Sequence, residues 1–299
     1  WHYLFDSNRG ANKALYSNLT DAEDNQTPTY NTQSFQSNGT RIVRDNGDHL
    51  NFDGDTYVSW NWKGGTTSSN TDGNVTSTVQ ANTDAGFSIV TFPADNLAGR
   101  TVGHGLGVAP KMIITKGRAQ TTAWYIYNYH IGAGNYLVLN STAGSASSSG
   151  LWGNTHPTST VFSIGNNDSG YNSGGANDAL AYCFADVEGY SKFGVYTGNG
   201  NADGTFVYLG FRPAWIMFKR TDGVTHWQIH DIKRSPVNPS GIGLLANTSD
   251  VDGVSTTYNL DITSNGFKLR DAHAGQNASG GTYIYMAFAE APFKYANAR

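Results

Sequence analysis

Cysteine is almost missing from this chain: Cys183 is the only one in 299 residues. No intrachain disulfide can staple the fold. Charge is scarce too, at 14% of residues with a net charge of −4, and no basic run exists to grip nucleic acid or an anionic membrane. No apolar stretch approaches the ~18 residues of a spanning helix. Also lacking are the 10–15-residue amphipathic helical stretches that parallel βαβ units need. No initiator Met or signal-like segment opens the chain, so a trimmed piece of something longer is expected.

What the chain has is Gly, Asn, Ser and Thr in abundance, with aromatics at 13%. That composition suits short strands joined by tight turns. One strand pattern occurs three times, as Tyr57-Val-Ser-Trp-Asn-Trp-Lys63, Leu180-Ala-Tyr-Cys-Phe-Ala-Asp186 and Tyr283-Ile-Tyr-Met-Ala-Phe-Ala-Glu290. Large apolar residues alternate in each: Val58, Trp60, Trp62; Leu180, Tyr182, Phe184; Ile284, Met286, Phe288. A period of two marks a strand with one face on a core. Cys183 falls on the small face, as a packed strand residue rather than a reactive thiol.

A landmark Trp precedes each copy: Trp1, Trp124 and Trp227 lie 61, 60 and 61 residues ahead of Trp62, Phe184 and Phe288. The last two copies share an opening. Leu106-Gly-Val-Ala-Pro-Lys-Met-Ile-Ile-Thr-Lys116 lines up with Leu209-Gly-Phe-Arg-Pro-Ala-Trp-Ile-Met-Phe-Lys219, and each proline stands 14 residues before its Trp. The period of 103 residues predicts repeats over 86–193 and 194–299. Residues 1–65 read as the back half of a third, and residues 66–85 as a polar linker or long loop. A unit of ~100 residues with turn signals every eight to twelve is the size of a small sandwich. The predicted fold is all-β, as tandem antiparallel β-sandwich (jelly-roll-like) modules, with a short helical turn around Asp21 to Asp24.

The strongest chemical constellation is Trp1, Asp6, Arg9 and, one residue shorter, Trp227, Asp231, Arg234. An aromatic platform beside a carboxylate and a guanidinium could hold a sugar. A salt bridge that secures a corner explains the recurrence more simply, since the middle copy reads Tyr129-His130. Asp45, Asp48, Asp53 and Asp55 lie in a Gly/Asn-rich turn and could offer hard oxygen ligands to Ca²⁺, although turn chemistry alone accounts for them. Otherwise no cofactor is indicated. Asn18, Asn140 and Asn247 head Asn-x-Ser/Thr triplets at equivalent places, where a side chain capping a turn suffices. Neither a histidine cluster nor a nucleophile elbow of the Gly-x-Ser-x-Gly kind is found, and no enzyme signature stands out.

Tyr285-Met-Ala-Phe-Ala-Glu-Ala-Pro-Phe-Lys294, Gly194-Val-Tyr-Thr-Gly-Asn-Gly200, Gly210-Phe-Arg-Pro213, Ser264-Asn-Gly-Phe267 and Gly86-Phe-Ser-Ile-Val90 carry a resemblance. Over nearly its whole length the chain resembles a domain of unknown function that recurs in structural proteins of tailed phages of marine bacteria. The resemblance implies a virion-surface protein, a tail fibre or head decoration, whose partners are other virion subunits and host-surface glycan, with no nucleic acid and no membrane insertion. It transfers no catalytic residues. A tailspike-type glycan-degrading enzyme using Asp6, Asp231 or Glu290 is the alternative from another class, and a filament or shell subunit is the third. The half-unit at the start would leave Val58, Trp60 and Trp62 bare, so it is expected to be completed by chain upstream of Trp1 or by another subunit, a homo-oligomer being the favoured arrangement.

Overall fold

The computed structural model describes residues 1–25, 33–42, 50–165, 170–172, 177–254 and 257–291. The fold is all-β, built from antiparallel sheets in sandwich-type layers. Helix among the described residues is confined to two single turns, Tyr129–Ile131 and Ser149–Trp152.

Two strands show why the chain folds in layers. In Asn177–Phe184, Leu180, Tyr182 and Phe184 enter one apolar cluster while Ala179, Ala181 and Cys183 enter another. In Thr282–Ala289, Ile284, Met286 and Phe288 join that same first cluster, and Tyr283, Tyr285 and Ala287 a third. Alternation with both faces apolar places each strand between two layers.

The sheets around these strands share one plan. Around the first the order is Ala146–Ser147, Asn135–Val138, Tyr125–Asn128, Met112–Gly117, Asn177–Phe184, Phe87–Ala94. Around the second it is Gly253–Val254, Ile242–Leu245, Gln228–Asp231, Pro213–Arg220, Thr282–Ala289, Ser191–Thr197. Register agrees as well: Met112 faces Phe184 and Trp215 faces Phe288, while Tyr125 faces Val138 and Gln228 faces Leu245. Each large sheet is backed by a smaller one, Arg100–Gly103 with Val161–Ile164, and Phe206–Tyr208 with Gly266–Leu269 and Leu260–Thr263. Counting along the chain, residues 1–65 are the first unit, 67–185 the second and 191–290 the third, and the first repeats only part of the plan. Tyr3–Asp6, Gly10–Tyr16 and Asp24–Asn25 form three strands in the same order, with Tyr3 facing Tyr16.

The three inner faces meet in a common core that includes Leu15, Trp124, Leu180, Met217, Trp227 and Phe288. The seams between them are alike. Trp124 donates its indole N–H to the carbonyl of Tyr16 at 2.8 Å, and Trp227 donates to the carbonyl of Val138 at 2.9 Å. Lys116 Nζ reaches the Thr20 carbonyl and Lys219 Nζ the Thr142 carbonyl, both at 3.2 Å. The third unit returns to the first through Ser17 Oγ, which donates to the Ala246 carbonyl, and through Trp62 stacked edge-on against Phe288 and Trp215.

Several expectations change. Residues 66–85 are no linker: Thr67–Asn70 and Ser77–Asn82 extend the sheet of Asn177–Phe184 beyond Phe87–Ala94, with Val79 opposite Val90. Their polar composition is that of an edge hairpin. Residues 57–63 form no strand. The third sheet starts at Ser191, ahead of the expected boundary at 194, and no helix forms around Asp21 to Asp24, where Asp24–Asn25 is extended. Trp60 and Trp62 are half-buried against the third unit, not bare.

Candidate functional site

Asp6 and Arg9 come together at the corner that follows the strand Tyr3–Asp6. Asp6 Oδ1 accepts from the Arg9 backbone N–H at 2.8 Å, and Oδ2 accepts from Arg9 Nε. Tyr182, from the second unit, donates its hydroxyl to the same Oδ2 at 2.8 Å. The remaining guanidinium nitrogens are used inward: Nη1 on the Lys13 carbonyl and Glu23 Oε2, Nη2 on the Leu4 carbonyl. Arg118 closes the network with two bonds of 2.9 Å to the Glu23 carboxylate. Burial alone would raise the Glu23 carboxyl, but hydrogen bonds from Arg118 and Arg9 hold it below the usual range. Burial works against the Arg9 charge, yet Tyr182, Asp6 and Glu23 raise its pKa above the ordinary arginine value.

The third unit repeats the corner. Asp231 Oδ1 accepts from the backbone N–H of Lys233 and of Arg234, each at 3.0 Å, and Oδ2 accepts from Arg234 Nε at 2.6 Å. Trp60 of the first unit lies under the Arg234 guanidinium, 5.6 Å from ring centre to charge, where Tyr182 stands at the first corner. In the second unit Asn128 takes the aspartate's place and accepts from His130 N–H at 2.9 Å. The middle copy therefore keeps the turn and loses the charge, a correction to the Tyr129-His130 alignment. The Asp6–Arg9 pair is buried and the Asp231–Arg234 pair mostly so, and their donors and acceptors serve the fold.

The tryptophans are not equivalent. Asn140 and Asn247 accept from the backbone N–H of Trp124 and Trp227 at 2.9 Å, while Asn18 accepts from His2 at 3.1 Å. His2, not Trp1, occupies the landmark position, and its imidazole pKa is lowered to about 4, mainly by burial. Trp227 is buried, whereas Trp1 is 55% exposed and leans on Tyr16 at 5.5 Å beside a surface depression lined by Leu19, Asp21 and Asp24. The three asparagines act as turn caps in the same way.

Of the calcium candidates, Asp53 and Asp55 are exposed, and Asp45 and Asp48 lie outside the described residues. Among the described residues no group of three or more His, Cys, Asp or Glu side chains converges as a metal site.

Sequence reasoning missed an exposed aromatic edge on the third unit. In the second unit the hairpin 67–82 covers the corresponding edge, and Val75 bridges Val102. The third unit has no such hairpin, and Phe206 at 44% and Tyr208 at 60% exposure stand on its rim with Val195. Lys192 lies over the Tyr208 ring at 5.3 Å and donates to the Tyr208 carbonyl at 3.0 Å. An aromatic face flanked by a cation can stack on a pyranose and bond its hydroxyls. The signal available was the lack of any counterpart to 66–85 ahead of the third copy.

Residues 1–292 match the family model of a domain of unknown function, DUF7483. No curated protein and no solved structure matches the chain.

Proposed function

The chain belongs to the DUF7483 domain family, and from that premise we propose that it is a non-enzymatic virion structural protein, a tail-fibre or surface-decoration module that contacts host-surface glycan outside the cell. The observation that carries the reading is the division of labour among its polar and aromatic groups. The Asp6–Arg9 and Asp231–Arg234 pairs are spent on internal corners, whereas Phe206 and Tyr208 face solvent on a sheet edge beside half-buried Lys192. Three units packed on one core supply a stiff platform for such a surface. The resemblance to phage structural proteins supports the virion setting.

A polysaccharide from the host surface, immobilised and probed with residues 1–299, tests the proposal. Binding without release of soluble oligosaccharide is expected, weakened about tenfold by Tyr208→Ala, the loss of one ring-to-sugar stacking contact of about 1.4 kcal/mol. Release of oligosaccharides that stops in Asp231→Asn or Glu290→Gln would establish the depolymerase instead. Unchanged binding in Tyr208→Ala would move the contact surface elsewhere.

A further inference from the structure

In both complete units one strand runs down the middle of the large sheet, Met112–Gly117 or Pro213–Arg220. Each pairs on one side with the strand that leads to the corner, Tyr125–Asn128 or Gln228–Asp231, and on the other with Asn177–Phe184 or Thr282–Ala289. Among the described residues, the first unit has the two flanks and no strand between them. Tyr3–Asp6 occupies the first flank: its register with Gly10–Tyr16, the Asn18 cap on His2 and the Asp6–Arg9 corner all repeat the other units. Residues 57–63 occupy the second flank. Trp62 meets Phe288 at 5.4 Å as Phe288 meets Phe184 at 6.2 Å, and Trp60 underlies Arg234 as Tyr182 touches Arg9.

Both flanks carry the marks of a missing neighbour. Tyr3–Asp6 is the edge of its sheet, and among the described residues Val58 to Trp62 make no backbone–backbone hydrogen bond. Val58, Ser59 and Asn61 are exposed, while all of Ala179 to Phe184 are buried. Phe5 is half-buried, while its counterparts Tyr127 and His230 are fully buried under the outer layer. Pairing an edge strand satisfies main-chain groups, and alternate side-chain pockets then set specificity.

We propose that the gap between Tyr3–Asp6 and residues 57–63 is a strand-acceptor site. Its occupant is a polypeptide segment from outside residues 1–299 with the chemistry of its two counterparts: proline-led, apolar on both faces, and closing on a lysine. A second copy of residues 1–299 is not that donor. Its own two strands of this type are central in their sheets and buried, so donating one would dismantle a unit. The lysine has a defined destination. Lys116 and Lys219 each reach a carbonyl four residues past the strand of the preceding unit, Thr20 and Thr142, and the matching residue of the third unit is Ser249. The acceptor gap is separate from the Lys192–Tyr208 surface and does not depend on glycan binding.

A synthetic peptide copying residues 108–119 is the probe, added to residues 1–299. Ile113 faces Cys183 in the second unit, and Asn61 holds the place of Cys183 in the first. With diamide present as the two-electron oxidant, an Asn61→Cys protein should therefore form a disulfide with a peptide carrying Ile113→Cys, whereas Ile114→Cys, on the opposite face, should not react. Hydrogen exchange should slow at residues 3–6 and 57–63 while the second and third sheets stay unchanged. At ten times the peptide's Kd, Tm should rise by about 3 °C. Equal cross-linking by both peptides, or exchange protection absent from those two segments, would overturn the assignment. So would a dimer of residues 1–299 that buries these segments and persists with peptide present.

Discussion

His230 is the residue whose setting departs furthest from its chemistry. Its counterparts are Phe5 and Tyr127, and it lies fully buried, parallel to Phe218 at 5.8 Å, with neither ring nitrogen bonded to the protein. Burial, and then Arg234, lower its pKa from 6.5 to about 3. Between those values the unfolded chain binds a proton that the folded chain refuses. Stability is therefore complete above pH 6.5 and falls as pH drops toward 3, by at most roughly 5 kcal/mol from this group. His2 adds to the same limb. We predict that His230→Phe flattens the acid limb of urea-denaturation stability and, by removing two unsatisfied nitrogens, stabilises the protein at pH 7 by about 1 kcal/mol. A variant that is weaker at pH 7 and keeps the full acid limb would mean that ordered water satisfies the ring.

At the scale of elements, the corners after Tyr3–Asp6 and Gln228–Asp231 hold the sheets to their neighbours. Asp231 accepts three protein hydrogen bonds, and its removal leaves the Arg234 guanidinium to Asp252 at 3.4 Å and the Ile229 carbonyl at 3.3 Å. Deleting one partner of a buried ion pair costs ~3 kcal/mol. Asp231→Ala should lose about that much in chemical denaturation, while Asp53→Ala, in an exposed turn, should stay within ~0.5 kcal/mol. Equal effects would remove the structural role assigned to the corner. The corner was legible as Asp-x-x-Arg. Its partners Glu23, Arg118 and Tyr182 were not, because they arrive from positions far apart in the chain and no local spacing announces them.

Across the whole molecule, two of the three seams between units carry a lysine. Lys116 and Lys219 are buried among carbonyls and a threonine hydroxyl, with no carboxylate bonded to the ammonium. Burial lowers each pKa from 10.5 to about 8. Above pH 8 the folded chain releases these protons while the unfolded chain keeps them until about pH 10.5. Stability should therefore rise between pH 8 and 10, and fall beyond it as tyrosines raised by burial, such as Tyr16 and Tyr127, resist ionising in the fold. In thermal denaturation the Lys116→Met, Lys219→Met double variant should show no rise across pH 8–10. A rise of the same size in that variant would place its origin outside the seams.

Local order alone determined the all-β class. Alternation in Leu180 to Phe184 and Ile284 to Phe288 is a property of neighbours in sequence, and it needs only the two-residue period of an extended chain. The paired openings from Pro110 to Lys116 and from Pro213 to Lys219 likewise announced strands of one kind. Tertiary structure decided the rest. Residues 57–63 carry the same alternation and form no strand, because a strand exists through hydrogen bonds to a neighbour and the described chain provides none there. Residues 67–82 look like linker and become sheet because the edge of Phe87–Ala94 offers them partners. His2 took the landmark place from Trp1 because register follows the Asn18 bond to the backbone, which does not depend on the side chain it positions. Burial of His230 under the outer layer and of both lysines at the seams was equally out of reach of the sequence, since it comes from layers that close on one another only in the fold.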